Sequence, residues 1–142
     1  MSYITQADLL ALVQEDMLAN GLNDANSGVA DPALFASIYA AAELEIHGFL
    51  EARFPVPFTT NVPSLVKNAA LVFCAEAVFA RRGISTDNNP FAKRASALRA
   101  RLESIQKGTD RLMLDAEGLT PKGDVISERS NIYDPIPARY PL

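Results

Sequence analysis

The sequence predicts an all-α fold: a four-helix, bundle-like domain over residues 1–108, followed by an extended, proline-rich tail over residues 109–142. Three observations lead there. Apolar side chains recur at spacings of three and four through four separate segments, a pattern that gathers them on one helical face. The segments open on a capping residue or a proline (Thr5, Asp31-Pro32, Pro63, Asn89-Pro90), and three of them close on glycine: Gly21, Gly83 and Gly108. Between the second and third segments, Pro55, Pro57 and Pro63 lock a corner.

The first helix is expected to start at Thr5, whose hydroxyl can accept the amide three residues on, with Asp8 in the favourable first turn. Leu9, Leu10, Leu12, Val13 and Met17 supply its stripe, and Asn20-Gly21 should end it with a left-handed cap. A polar loop follows. Within it, Asp24-Ala25-Asn26-Ser27-Gly28 carries a trace of calcium-loop alternation, but the third alternating acid and the downstream glutamate are missing, so an ordinary turn is expected.

Asp31-Pro32 opens the second helix, whose inner face reads Phe35, Ile38, Tyr39, Ala42, Ile46, Phe49 and Leu50. Pro55 should stop it at about Arg53, and the chain should then cross in a stiff, polyproline-like elbow to Pro63. Glu43, His47 and Glu51 line up at intervals of four along the same helix. That line could hold a metal or tune a proton donor, but the expected reading is a solvated acidic face that raises the histidine's affinity for a proton. With a single histidine and no partnering nucleophile, neither an active site nor a metal site is assigned.

The third helix, from Pro63 to about Arg82, is apolar almost all round over residues 69–80, as befits the centre of a bundle or a surface under a partner. Glu76 interrupts it and must reach water, a basic partner or a neighbouring chain, because an unpaired buried carboxylate is too costly. The fourth helix follows Asn89-Pro90. Phe91, Ala95, Leu98, Leu102 and Ile105 form one side, and Lys93, Arg94, Arg99 and Arg101 the other. Beyond it, residues 112–114 and 125–126 are candidates for a short β-hairpin near 111–127. Three prolines in the last eight residues exclude helix at the end, leaving either a disordered terminus or an extended tail with Ile132, Tyr133, Ile136 and Tyr140 as candidate anchors for a partner surface.

At 142 residues one domain is expected, large enough to bury roughly 70% of the unfolded chain's surface. The one cysteine, Cys74, lies in the apolar run and reads as a small buried hydrophobe, consistent with a reducing compartment. No signal-peptide pattern precedes the first helix, and the apolar run around Glu76 is too short to span a bilayer, so a soluble protein is expected. The net charge of −4 conceals an asymmetry. Residues 1–60 hold eight acids and one base, net −7; residues 61–114 hold four acids and nine bases, net +5; the remainder is net −2. Either the solvated helix faces differ in sign, or the chain associates head to tail.

Phosphate loops, zinc-type Cys/His clusters, nucleophile elbows and catalytic histidine pairings are all missing, so no enzymatic activity and no cofactor are predicted. Three stretches carry a resemblance: Tyr3-Ile4-Thr5-Gln6-Ala7-Asp8-Leu9, then residues 42–57 with Ile46, Phe49-Leu50, Arg53-Phe54 and Pro57, then the proline-opened third helix. Together they resemble the small helical head–tail connector proteins of tailed bacteriophages, in particular the Mu-like group, over residues 3–112.

The resemblance implies a structural protein of the virion neck, made in the host cytoplasm and assembled as a ring at the portal vertex. Its partners would be other copies of itself, the portal protein, and tail or head-closure proteins. DNA would be only a passenger through the ring, and no membrane is involved. A ring needs heterologous contacts. The expected pair sets Glu43, Glu45 and Glu51 of one copy against Lys93, Arg94, Arg99 and Arg101 of the next. The alternative is a small helical nucleic-acid-binding regulator of phage or prophage origin, using the third and fourth helices. The acidic total, and the lack of a clear turn between a positioning and a reading helix, count against it.

Overall fold

In the computed structural model, which describes residues 2–112 apart from Ala25, five α-helices follow one another. They are α1 (Gln6–Leu12), α2 (Glu15–Gly21), α3 (Pro32–Leu50), α4 (Ser64–Arg81) and α5 (Ala92–Lys107), with a 3-10 turn at Thr86–Asn88 ahead of α5. The fold is all-α. Residues 113–142, and with them almost all of the expected hairpin and the tail anchors Ile132, Tyr133, Ile136 and Tyr140, lie outside the described residues.

α1 opens on the expected cap. The Asp8 amide donates to the Thr5 hydroxyl, and Asp8 Oδ2 accepts the Thr5 amide at 2.7 Å, a reciprocal box that also holds the Asp8 carboxyl below the usual carboxylate range. The expected single first helix is in fact two, broken at Val13-Gln14 where Val13 turns extended. The reason is packing. Leu9, Val13, Leu18 and Leu22 are all buried, yet on one continuous helix Leu18 would point about 180° away from Leu9. The break rotates the second half so that both pairs reach one core. Gly21 also has a different role from the left-handed cap expected: a Cβ there would strike Val78 Cγ1 and sit 3.0 Å from the Val78 carbonyl oxygen. Its bare backbone lets α2 lie directly on α4.

α3 starts as the sequence indicates, with Asp31 Oδ1 accepting the Ala33 amide at 2.9 Å and Pro32 in the first turn. It ends at Leu50, three residues early, although the Arg53 and Phe54 amides still donate to the Leu50 carbonyl at 3.0 and 2.9 Å. The elbow includes a cis Val56–Pro57 bond and tucks Phe58, which no helical periodicity marks, into the core at 3% exposure. Tyr3 pins it. The Tyr3 hydroxyl accepts the Phe58 amide at 2.9 Å and shares a 2.7 Å hydrogen bond with His47 Nε2, while the Tyr3 amide donates to the Tyr39 hydroxyl at 2.7 Å. Two of the stretches that carry the resemblance therefore meet in space.

α4 is the hub. Pro63 caps it from one position further out than expected, its carbonyl accepting the Val66 and Lys67 amides. Ten of its 18 residues are buried, and it touches all four other helices. The next helix also starts late. Asn89 Oδ1 accepts the Phe91 amide and its Nδ2 donates to the Glu76 carbonyl, so Asn89 and Pro90 shape a turn and α5 begins at Ala92. Gly108 ends α5 in the left-handed region at φ 85°, where the Arg53 guanidinium lies against it.

Among the described residues, α3 is the one helix long and apolar enough by composition to cross a membrane, with a mean hydropathy of 1.2. Tyr39, Ala42, Ile46 and Leu50 face the core, yet only 22% of the apolar window is buried. Its opposite side, running through Ala33, Ala40, Leu44 and Gly48, is exposed.

Candidate subunit interface

Each of the expected interface residues has a definite place. Glu45, on the flank of α3, meets Arg99 of α5: the Arg99 Nε donates to Glu45 Oε1, and the same guanidinium lies 3.0 Å from Glu76 Oε2 on α4. Arg99 also stacks over the Phe73 ring at 4.6 Å. The hydrogen bond to Glu45 outweighs desolvation and, with Glu76 nearby, raises the guanidinium's pKa above its ordinary value. Glu45 and Arg99, expected on opposite sides of a contact between copies, are thus paired within one chain.

The remaining acids and bases are arranged differently. Glu43 is half-buried and accepts a 3.3 Å hydrogen bond from the Tyr39 hydroxyl, and exposed Glu51 sits just past the end of α3. On α5, Arg101 pairs with Asp110 at 3.2 Å and Lys107 with Glu103 at 2.9 Å. Arg94 lies 5.8 Å from the Phe91 ring, and Lys93 is exposed. Neither Lys93 nor Arg94 meets a carboxylate among the described residues.

The line of Glu43, His47 and Glu51 does not act as one group, because the His47 ring turns towards Tyr3, edge-on at 5.8 Å between centroids. Asp24, in the loop with calcium-like alternation, is gripped by Arg81 through two hydrogen bonds of 2.7 and 2.9 Å. No group of three or more His, Cys, Asp or Glu residues that could hold a metal ion is found among the described residues. Cys74 is fully buried, and desolvation pushes its thiol up to about 12.

Sequence reasoning missed the place where these features converge. Where α3 and α4 lie side by side, a groove of about 380 Å³ opens, with Ile38, Ala41, Ala77 and Ala80 on its walls and Glu45, Glu76 and Arg99 at its floor. The only signal for it was Glu76, a carboxylate in an apolar helix that required a partner. Arg99 is that partner, and the small side chains around it leave the opening.

Comparison with known proteins adds one finding. A family model, described as bacteriophage Mu, Gp36, matches residues 3–127. The chain belongs to the bacteriophage Mu Gp36 family. The match covers all five helices, runs past residue 112 and crosses the boundary expected at residue 108. No curated protein matches at a significant level. Family membership supports a Mu-like phage protein, built here as an all-α domain whose third helix is half uncovered.

Proposed function

We propose that this member of the Mu Gp36 family is a structural head–tail connector: a subunit that closes into a ring at the portal vertex and joins the capsid to the tail. The observation that carries the reading is α3, a 19-residue apolar helix with Leu44 73% exposed and one side, through Ala33, Ala40, Leu44 and Gly48, left open. Contiguous exposed apolar surface marks an interaction site. The separation of charge along the chain, net −7 over residues 1–60 and net +5 over residues 61–114, suits a contact in which one face meets a different face of the next subunit.

In this reading the protein is not an enzyme and takes no cofactor. It resides in the virion neck after assembly in the host cytoplasm, and no membrane is involved. Other copies of the chain, the portal protein and the tail or head-closure proteins are its partners, with DNA passing through the ring without sequence recognition. Deleting the gene from its phage or prophage and imaging the particles by electron microscopy tests this. The expected outcome is DNA-filled heads and separate tails that join again on complementation. Intact, infectious particles from the deletion would overturn the reading.

A further inference from the structure

The groove between α3 and α4 has an unusual floor. Two carboxylates, Glu45 and Glu76, share one guanidinium, leaving a surplus negative charge. Arg99 Nη1 is 3.0 Å from Glu76 Oε2, but its N–H bonds are not aimed there; the aligned hydrogen bond runs 3.4 Å to Oε1. Oε2 is shut off from water without an aligned donor, and the Glu76 side chain as a whole is only 22% exposed. A partly dehydrated surplus charge favours a cation nearby. Around these charges the lining is mostly apolar, Ile38, Phe73 and alanine methyl groups with the Ser37 side chain among them, a surface along which the stem of a lysine or arginine lies well.

The chain also carries a matching supply. Arg99, Arg101 and Lys107 of α5 each have an internal carboxylate, whereas Lys93 and Arg94, at its exposed start, have none among the described residues. The start of α5 and the groove are different surfaces, so joining them between copies gives a heterologous contact that can propagate around a ring. We propose that the α3–α4 groove receives the start of α5 from a second copy of this chain, with Lys93 and Arg94 laid over the floor of Glu45, Glu76 and Arg99. The proposal rests on the connector reading in taking subunits to meet head to tail, and it specifies which faces meet.

Disulfide trapping in the full chain tests it. Ser37→Cys marks the groove and Ser96→Cys lies one turn beyond Lys93; both positions are exposed and both changes are close to isosteric. Cys74 stays silent, being buried with its thiol pushed up to about 12. Mixing the two variants under mild oxidation should give a mixed dimer at about tenfold the yield of either variant alone. Adding Lys93→Glu and Arg94→Glu to the Ser96→Cys chain should lower that yield by about tenfold, while Arg101→Glu should change it by less than about threefold. Cross-links of Ser37→Cys only to itself, or a yield indifferent to Lys93 and Arg94, would overturn the groove contact. A chain that forms no cross-link at any concentration would overturn it as well. The deletion phenotype judges the connector reading separately.

Discussion

α3 and α4 are nearly equal in length and both are rich in apolar residues, yet α4 buries ten side chains and α3 buries four. The difference lies in their surroundings. α4 is enclosed by four helices of its own chain, while the main contacts of α3 are with α4 and α5 alone. Apolar content says that a helix wants cover. It does not say that the same chain supplies it.

The largest expected effect falls on the enclosed helix. Phe79, 7% exposed and 5.5 Å from the Phe91 ring, holds α4 to the start of α5. Phe79→Ala should cost about 3–4 kcal/mol in denaturant unfolding, through lost burial and an unfilled cavity. A cost below about 1 kcal/mol would mean that α4 is not the packed hub described here.

On the inner side of α3, alkaline pH gives a sharper test. Burial, more than the neighbouring Glu43 charge, raises the Tyr39 phenol from its ordinary value of 10.0 to about 12. The fold therefore prefers the neutral phenol, so the stabilisation is complete below pH 10.0 and is lost as pH rises through about 12. Tyr39→Phe should remove up to about 2 kcal/mol of that pH dependence, read as the difference between the two proteins' unfolding curves. Identical pH dependence in both would place Tyr39 in water.

The charged seam between the two helices should give a smaller effect. Arg99→Met removes the cation that Glu45 and Glu76 share, and because all three side chains are partly solvated the cost should be about 1–2 kcal/mol by thermal unfolding. Arg99→Lys should recover part of it, because the ammonium restores a positive charge between the two carboxylates. Smallest of all is the outer side of α3. Leu44→Ser should change monomer stability by less than about 0.5 kcal/mol, despite replacing a leucine in an apolar helix. Its effect should appear in self-association.

Local chemistry was well written in the sequence. Thr5 with Asp8, Asp31 with Pro32, and Gly108 marked helix ends correctly, because capping depends on the few residues around each terminus. The inner face of α3 was legible for the same reason, through Tyr39, Ala42, Ile46 and Leu50. Longer-range features were not. The break at Val13-Gln14, the bare approach of Gly21 to Val78, and the burial of Phe58 all follow from where α4 and Tyr3 lie, which no local pattern encodes.

The site was half legible. Opposite charges on the second and last helices, and the need of Glu76 for a partner, could be read from the residues. That Glu45, Arg99 and Glu76 meet within one chain could not, because each lies on a different helix. The groove beside them is lined by Ala41 of one helix and Ala77 and Ala80 of another, a juxtaposition that no local pattern encodes.

The central claim is that the uncovered side of this domain is covered by further copies in a closed assembly. Native mass spectrometry of the full chain, alone and mixed with its cognate portal protein across a range of salt, tests it most directly. The account predicts a single large stoichiometry, present alone or formed on the portal, which salt weakens. A chain that stays monomeric in both settings, or an open ladder of ever larger oligomers, would contradict it.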